Sequence, residues 1–260
     1  MLYDINPYIP IVLCIIFCIL GTIISTRFFE IDNIKSNNKN VKYVQDLKSA
    51  FSFILKSNRL RSLLIILGFI WGILILFGTY KITLLKDLNV SATYIGIISA
   101  VLSIMTGRMS TLSNKFNEKY KNKTLTIIGL MVTISFLLAG AISIMQIPFS
   151  LKISIIIMLY MIEATSSGVH GVIQNRYISN FAKPEILTKL YSANSIISNL
   201  LRMLVTFIGT IVLDNFNIKY AMIITGILFT VVMYLLYRYS KSKLGLKAEE
   251  YKKSDIVYER

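Results

Sequence analysis

The chain has 260 residues, 55% of them apolar and only 16% charged, well short of the about 25% charge of a soluble domain, although a rich soluble core could also raise apolarity, so the distribution of the charges decides. Its formal net charge of +15 would suit a nucleic-acid partner. The cations, however, are gathered between long uncharged runs, and that distribution excludes nucleic acid in favour of a lipid bilayer.

Seven runs are long and apolar enough to cross about 30 Å of hydrocarbon: residues 7–26, 62–80, 88–107, 125–147, 153–175, 190–213 and 220–237. None alternates in polarity as barrel strands do, so each reads as a helix. Of the 28 Lys and Arg residues, 23 lie in segments 27–61, 108–124, 176–189 and the C-terminal tail. This alternation is the positive-inside pattern. It predicts a multi-pass protein of the cell membrane with its N-terminus outside and its C-terminus in the cytoplasm.

The first run begins Met1-Leu-Tyr-Asp-Ile-Asn and has no basic flank, so it is not a signal peptide. A first span that leaves its N-terminus outside normally follows earlier spans, and the chain reads as one lacking its natural beginning. Cys14 and Cys18 share one face of this helix and read as small packing residues. No C-x-x-C or metal-ligand spacing occurs, and no cofactor is expected. Heavy use of Lys, Ile and Asn fits an AT-rich bacterial genome.

The segment after span one holds Ser36-Asn-Asn-Lys-Asn40, then apolar residues at helical spacing: Val41, Val44, Leu47, Phe51, Ile54 and Leu55. An amphipathic helix over 41–55 is expected, lying at the membrane interface or leading into span two. Small residues four apart predict close helix packing at Gly68 and Gly72 in span two, and in span three along two rows, Ala92, Gly96 and Ala100, and Ser99, Ser103 and Gly107. Spans one, four and seven are the blandest.

Spans five and six carry the polarity. Glu163 and Arg202 each lie about eleven or twelve residues into their spans, near the bilayer midplane at about 1.5 Å per residue. A lone charge there costs about 2.5–3.5 kcal/mol on the mildest scale. Both are therefore expected to point into the bundle and to meet, directly or through water. Glu163, Ser167, His170 and Gln174 share a face of span five, and Tyr191, Ser195, Ser198, Asn199 and Arg202 share a face of span six. Two facing polar stripes make either a substrate or proton pathway, with His170 a possible relay, or a structural charge pair holding the helices together.

The arrangement resembles the C-terminal portion of a major facilitator superfamily transporter, from family helix six to helix twelve. An outside-to-inside span ending in Phe28-Phe29-Glu30 is followed by a long basic linker, then by six spans. The basic stretch after span three is similar to the family's G-x-L-x-D-R-x-G-R-[RK] loop motif at Leu112, Asn114 and Lys115. It departs from the motif in having Ser110 for the leading Gly, Asn114 for the Asp, and a differently spaced tail. The resemblance implies that spans one, four and seven are peripheral and that spans five and six line the cavity. It also implies that the family's first five helices are absent. The organisation expected is a first helix over 1–29, a cytoplasmic linker over 30–61, a six-helix bundle over 62–238 and a cytoplasmic tail over 239–260.

The function expected is that of a transporter, or the C-terminal half of one, moving a small solute or drug by alternating access. Its partner would be a missing N-terminal half or a second copy. The alternative is a non-transporting subunit or a truncated relic. An enzyme is not expected, because one histidine and scattered acids build no catalytic cluster.

Overall fold

The computed structural model describes residues 8–26, 51–52, 54, 58–120, 123–181 and 184–241. Its contacts divide the chain into two units, Met1–Lys42 and Tyr43–Arg260. The first contains α1 (Tyr8–Ser25), a helix apolar on every side. In its last turn the Thr22 hydroxyl donates to the Cys18 carbonyl at 2.9 Å.

The second unit is an all-helical bundle of α2 (Asn58–Asp87), α3 (Ala92–Tyr120), α4 (Thr124–Ile144), α5 (Phe149–Phe181), α6 (Pro184–Asn215) and α7 (Ile218–Lys241). All six are long and apolar enough to cross a membrane, and α1 is a shorter apolar helix. No strand occurs among the described residues. The amphipathic helix expected over 41–55 lies outside the described residues except for Phe51, Ser52 and Ile54, which are helical. Most of the expected linker lies outside them too, as does the tail beyond 241.

Local chemistry sets the helix ends. Asn89 takes a left-handed φ of 58° while Val90 N–H reaches the Leu85 carbonyl and Asn89 N–H that of Lys86. This is a Schellman cap with Asn in place of the usual Gly. α6 opens on Pro184, whose missing N–H costs nothing in a first turn. Asn217 caps α7 by accepting the Lys219 N–H on its side-chain oxygen at 3.2 Å.

The helices run past the apolar segments in both directions. The stretch 81–87, expected as an outer loop, is the last two turns of α2, and 108–120, expected as an inner loop, completes α3. A charge ends an apolar run without ending a helix, because a long side chain can turn along the helix toward water or toward a partner. The basic stretch with Leu112, Asn114 and Lys115 is therefore helical, and Asn114 accepts a hydrogen bond from Arg176 of α5 at 2.9 Å.

α2 is the centre: 72% of its most apolar stretch is buried, against 11% for α3 and 17% for α6. It touches each of the other five helices, and the closest pairings are α4 with α7, α2 with α6 and α3 with α5. Phe77, Tyr80, Phe136 and Tyr160 form the aromatic middle, with Phe77 4.7 Å from Phe136 and 5.5 Å from Tyr160. Small residues allow the close seams. A Cβ on Gly68 would lie 2.7 Å from Leu201 Cδ1, and one on Gly72 would lie 3.0 Å from Val205. At the α3–α5 seam a Cβ on Gly168 would strike the Thr106 carbonyl. There Thr106 donates to the Ala164 carbonyl and Ser110 to that of Gly168, each at 3.2 Å.

The small-residue stripe on α3 behaves otherwise than expected. Nothing lies within 4 Å of a Cβ on Gly96 or Gly107, Ser103 is exposed and Ser99 half-buried. Among the helices of the second unit, none closes on these two glycines. α3 meets α5 through the neighbouring face, where the Thr106 and Ser110 hydroxyls gain carbonyl acceptors that a glycine cannot use.

Candidate functional site

The candidate site lies where α2, α5 and α6 carry polar groups into the bundle. Side chains lean toward the N-terminus of their own helix, and α2 and α5 run in opposite directions. Lys81, near the end of α2, thus leans toward mid-bundle, while Glu163, at the middle of α5, leans toward it. They meet at 3.1 Å, Lys81 Nζ to Glu163 Oε2, with side chains 17% and 7% exposed. Tyr160, one turn from Glu163, holds the ammonium from another side. Its ring centroid is 6.0 Å from Nζ, and its hydroxyl donates to the Lys81 carbonyl at 3.5 Å. The lysine is thereby fixed by charge, by the ring face and through its own backbone.

The partner of Glu163 is therefore Lys81 and not Arg202. α2 packs against both α5 and α6: His170 of α5 meets it at Leu67, and Arg202 and Val205 of α6 meet it at Gly72. α5 and α6 touch each other only lightly. The signal that would have found Lys81 is visible in the sequence. It interrupts a run that is apolar again at Ile82, Leu84 and Leu85.

His170 is fully buried. Its Nε2 lies 3.1 Å from the Leu67 carbonyl, so that nitrogen carries the proton, and its ring stacks on Trp71 at 5.8 Å and 11°. Its Nδ1 has no hydrogen-bond partner among the described residues. Gln174, one turn further, is half-buried.

The expected stripe on α6 splits in two. Ser198 is buried against α2 and donates to Asn194 Oδ1 at 3.4 Å. Asn199 and Arg202 are exposed. Arg202 stands at the middle of the apolar stretch Leu190–Asn215, and its guanidinium has no ion-pair partner among the described residues. A surface depression of about 560 Å³ surrounds it, lined by Ile196, Asn199, Leu200, Arg202, Met203 and Thr206. Tyr191, two to three turns away, ties α6 to α5 by donating to the Asn175 carbonyl at 3.2 Å. Among the described residues no group of His, Cys, Asp or Glu could hold a metal ion.

A bundle of membrane-crossing helices, with an ion pair bridging two of them at depth and a polar face on a third, is built like a multi-pass membrane transporter. The sequence model of the Major Facilitator Superfamily matches residues 2–205 and, in a second alignment, residues 71–256, and the chain belongs to that superfamily. No curated protein and no solved structure matches it.

Proposed function

We propose that the six-helix unit is one wall of a solute path. In this reading the chain moves a small solute or drug across the cell membrane by alternating access, with Lys81 and Glu163 as its coupling pair. The observation that carries the reading is that pair. Two apolar residues of similar volume would hold α2 to α5 at least as well, because desolvating two charges offsets most of their attraction. Ionisable groups inside a membrane by default mark pathways. Gln174, Asn199 and Arg202 are the open members of the path, while His170 and Ser198 back it through α2. The facing wall is a second helical body, either an N-terminal half or another copy of the chain.

Flux of candidate solutes into proteoliposomes tests this. Lys81→Met and Glu163→Gln should each abolish coupled flux, and the exchanged pair Lys81→Glu with Glu163→Lys should fold but not transport. Transport by the exchanged pair at the original rate would reduce the pair to a brace.

The proposed orientation places the turn at Asn89 outside and the α3–α4 connection inside. With Cys14 and Cys18 replaced, a cysteine at position 89 should be labelled from outside in intact cells and one at 123 only after permeabilisation. The reverse pattern would invert the topology.

A further inference from the structure

The charges at mid-depth do not cancel. Lys81 answers Glu163 at 3.1 Å, whereas Arg202 is exposed and has no counter-charge among the described residues. Counted over these three side chains, the site holds one unanswered positive charge. A guanidinium presents five N–H donors in a planar fork suited to a carboxylate. Asn199, one turn back on the same exposed face, has an amide free to donate beside it. The Thr206 hydroxyl does not compete, because it donates to the Arg202 carbonyl at 2.8 Å. Around these donors the surface is apolar: Leu200, Met203, Leu204 and Phe207 are all strongly exposed. The face thus offers one anion-binding head and a greasy surround.

We propose that the solute bound on this face is a small organic monoanion, a carboxylate with a short apolar body. Its charged group sits on Arg202 and Asn199, and its body lies against Leu200, Met203 and Phe207. This rests on the transporter reading for its place in a path, but the binding is a property of the face alone.

Trp71 is the single tryptophan; its ring lies against His170, and only the adjoining Gly72 comes close to α6, where a Cβ would lie 3.2 Å from Arg202 Cα. The full chain in phosphatidylcholine nanodiscs is titrated with hexanoate, hexanol and hexylammonium. Binding is followed by Trp71 emission and, on the same discs, by calorimetry, so that a silent indole does not decide the outcome. Hexanoate alone should bind saturably. Its affinity should fall about tenfold in Arg202→Gln, the loss of one charge-assisted contact, and less in Arg202→Lys.

Equal binding of hexanol, unchanged hexanoate binding in Arg202→Gln, or no heat with any probe would each overturn the proposal. Discs containing phosphatidylglycerol separate a lipid phosphate from a free solute. If that lipid abolishes the hexanoate response in the wild-type chain, the occupant is a lipid headgroup and the solute proposal falls. Hexanoate binding without solute flux in proteoliposomes would remove the transporter reading and leave this site. Coupled flux of a cation or a neutral solute, with no hexanoate response, would do the reverse.

Discussion

Near the centre of α5 a carboxylate is enclosed and answered; near the centre of α6 a guanidinium is uncovered and unanswered. The difference lies in what stands beside each helix. Glu163 faces α2, the most buried helix, and takes Lys81 and Tyr160 as neighbours. Arg202 has its backbone against α2 at Gly72 but sends its side chain away from it. The interior seam therefore pairs its charges within the fold. The outer face of α6 leaves Asn199 and Arg202 exposed, with no counter-charge among the described residues.

The strongest way to break this contrast is to unbalance the seam. Lys81→Met leaves Glu163 enclosed without a counter-charge and should cost about 3 kcal/mol of stability, the usual loss when one member of a buried pair is removed. Adding Glu163→Gln should recover most of it. Unfolding of the detergent-solubilised chain by titrated dodecyl sulfate measures both. A double variant as unstable as Lys81→Met alone would mean that packing, and not charge, holds α2 to α5 here.

The next effect contrasts two glycines. At Gly168 a methyl group would meet the Thr106 carbonyl, a backbone atom that cannot swing aside, so Gly168→Ala should lose about 1–3 kcal/mol to overpacking. At Gly107 nothing lies within 4 Å, and Gly107→Ala should be neutral or gain up to about 1 kcal/mol from helix propensity. Equal losses at the two positions would show that the exposed stripe of α3 is in fact covered.

Much of this architecture was legible in the sequence, and the reason is the bilayer itself. Hydrocarbon demands about 20 apolar residues per crossing, so the helices appear directly as apolar runs. Glu163, His170 and Ser198 were legible as interior groups because polarity at mid-span has few places to go. What remained hidden depended on rotation and partnership. At Lys81 the charge marks a boundary in hydropathy but not in the helix, because Leu84 and Leu85 resume the apolar run. Equal depth sets Arg202 level with Glu163, but depth does not say which way either side chain points. Gly96 and Gly107 matched a packing spacing, but spacing does not say which of two adjacent faces the neighbour occupies.

A smaller effect is expected at the stacked pair. His170→Leu removes the hydrogen bond to the Leu67 carbonyl, and it also removes a buried Nδ1 that has no partner among the described residues. Losing one neutral hydrogen bond costs about 1 kcal/mol, and removing the unsatisfied nitrogen offsets part of that. Stability should fall by no more than about 1 kcal/mol, while Trp71 emission changes clearly because its stacking partner is gone. A large loss with unchanged emission would mean that the ring contact is absent in solution.

The smallest expected effect is at Arg202, and it is the one that separates the two regions most cleanly. If the guanidinium were a hidden half of the interior seam, Arg202→Gln would behave like Lys81→Met and destabilise the chain by kilocalories. The side chain is instead exposed and has no counter-charge among the described residues, and its backbone contact with α2 at Gly72 is kept by any residue. Arg202→Gln should therefore shift unfolding by no more than about 0.5 kcal/mol, as for surface positions that break no network. It also removes a charge from the middle of an apolar stretch, so a slight gain fits the same picture. A loss near that of Lys81→Met would require an acidic partner inside the fold. It would make Arg202 part of the interior seam and leave the open face of α6 with no charge free to meet a solute.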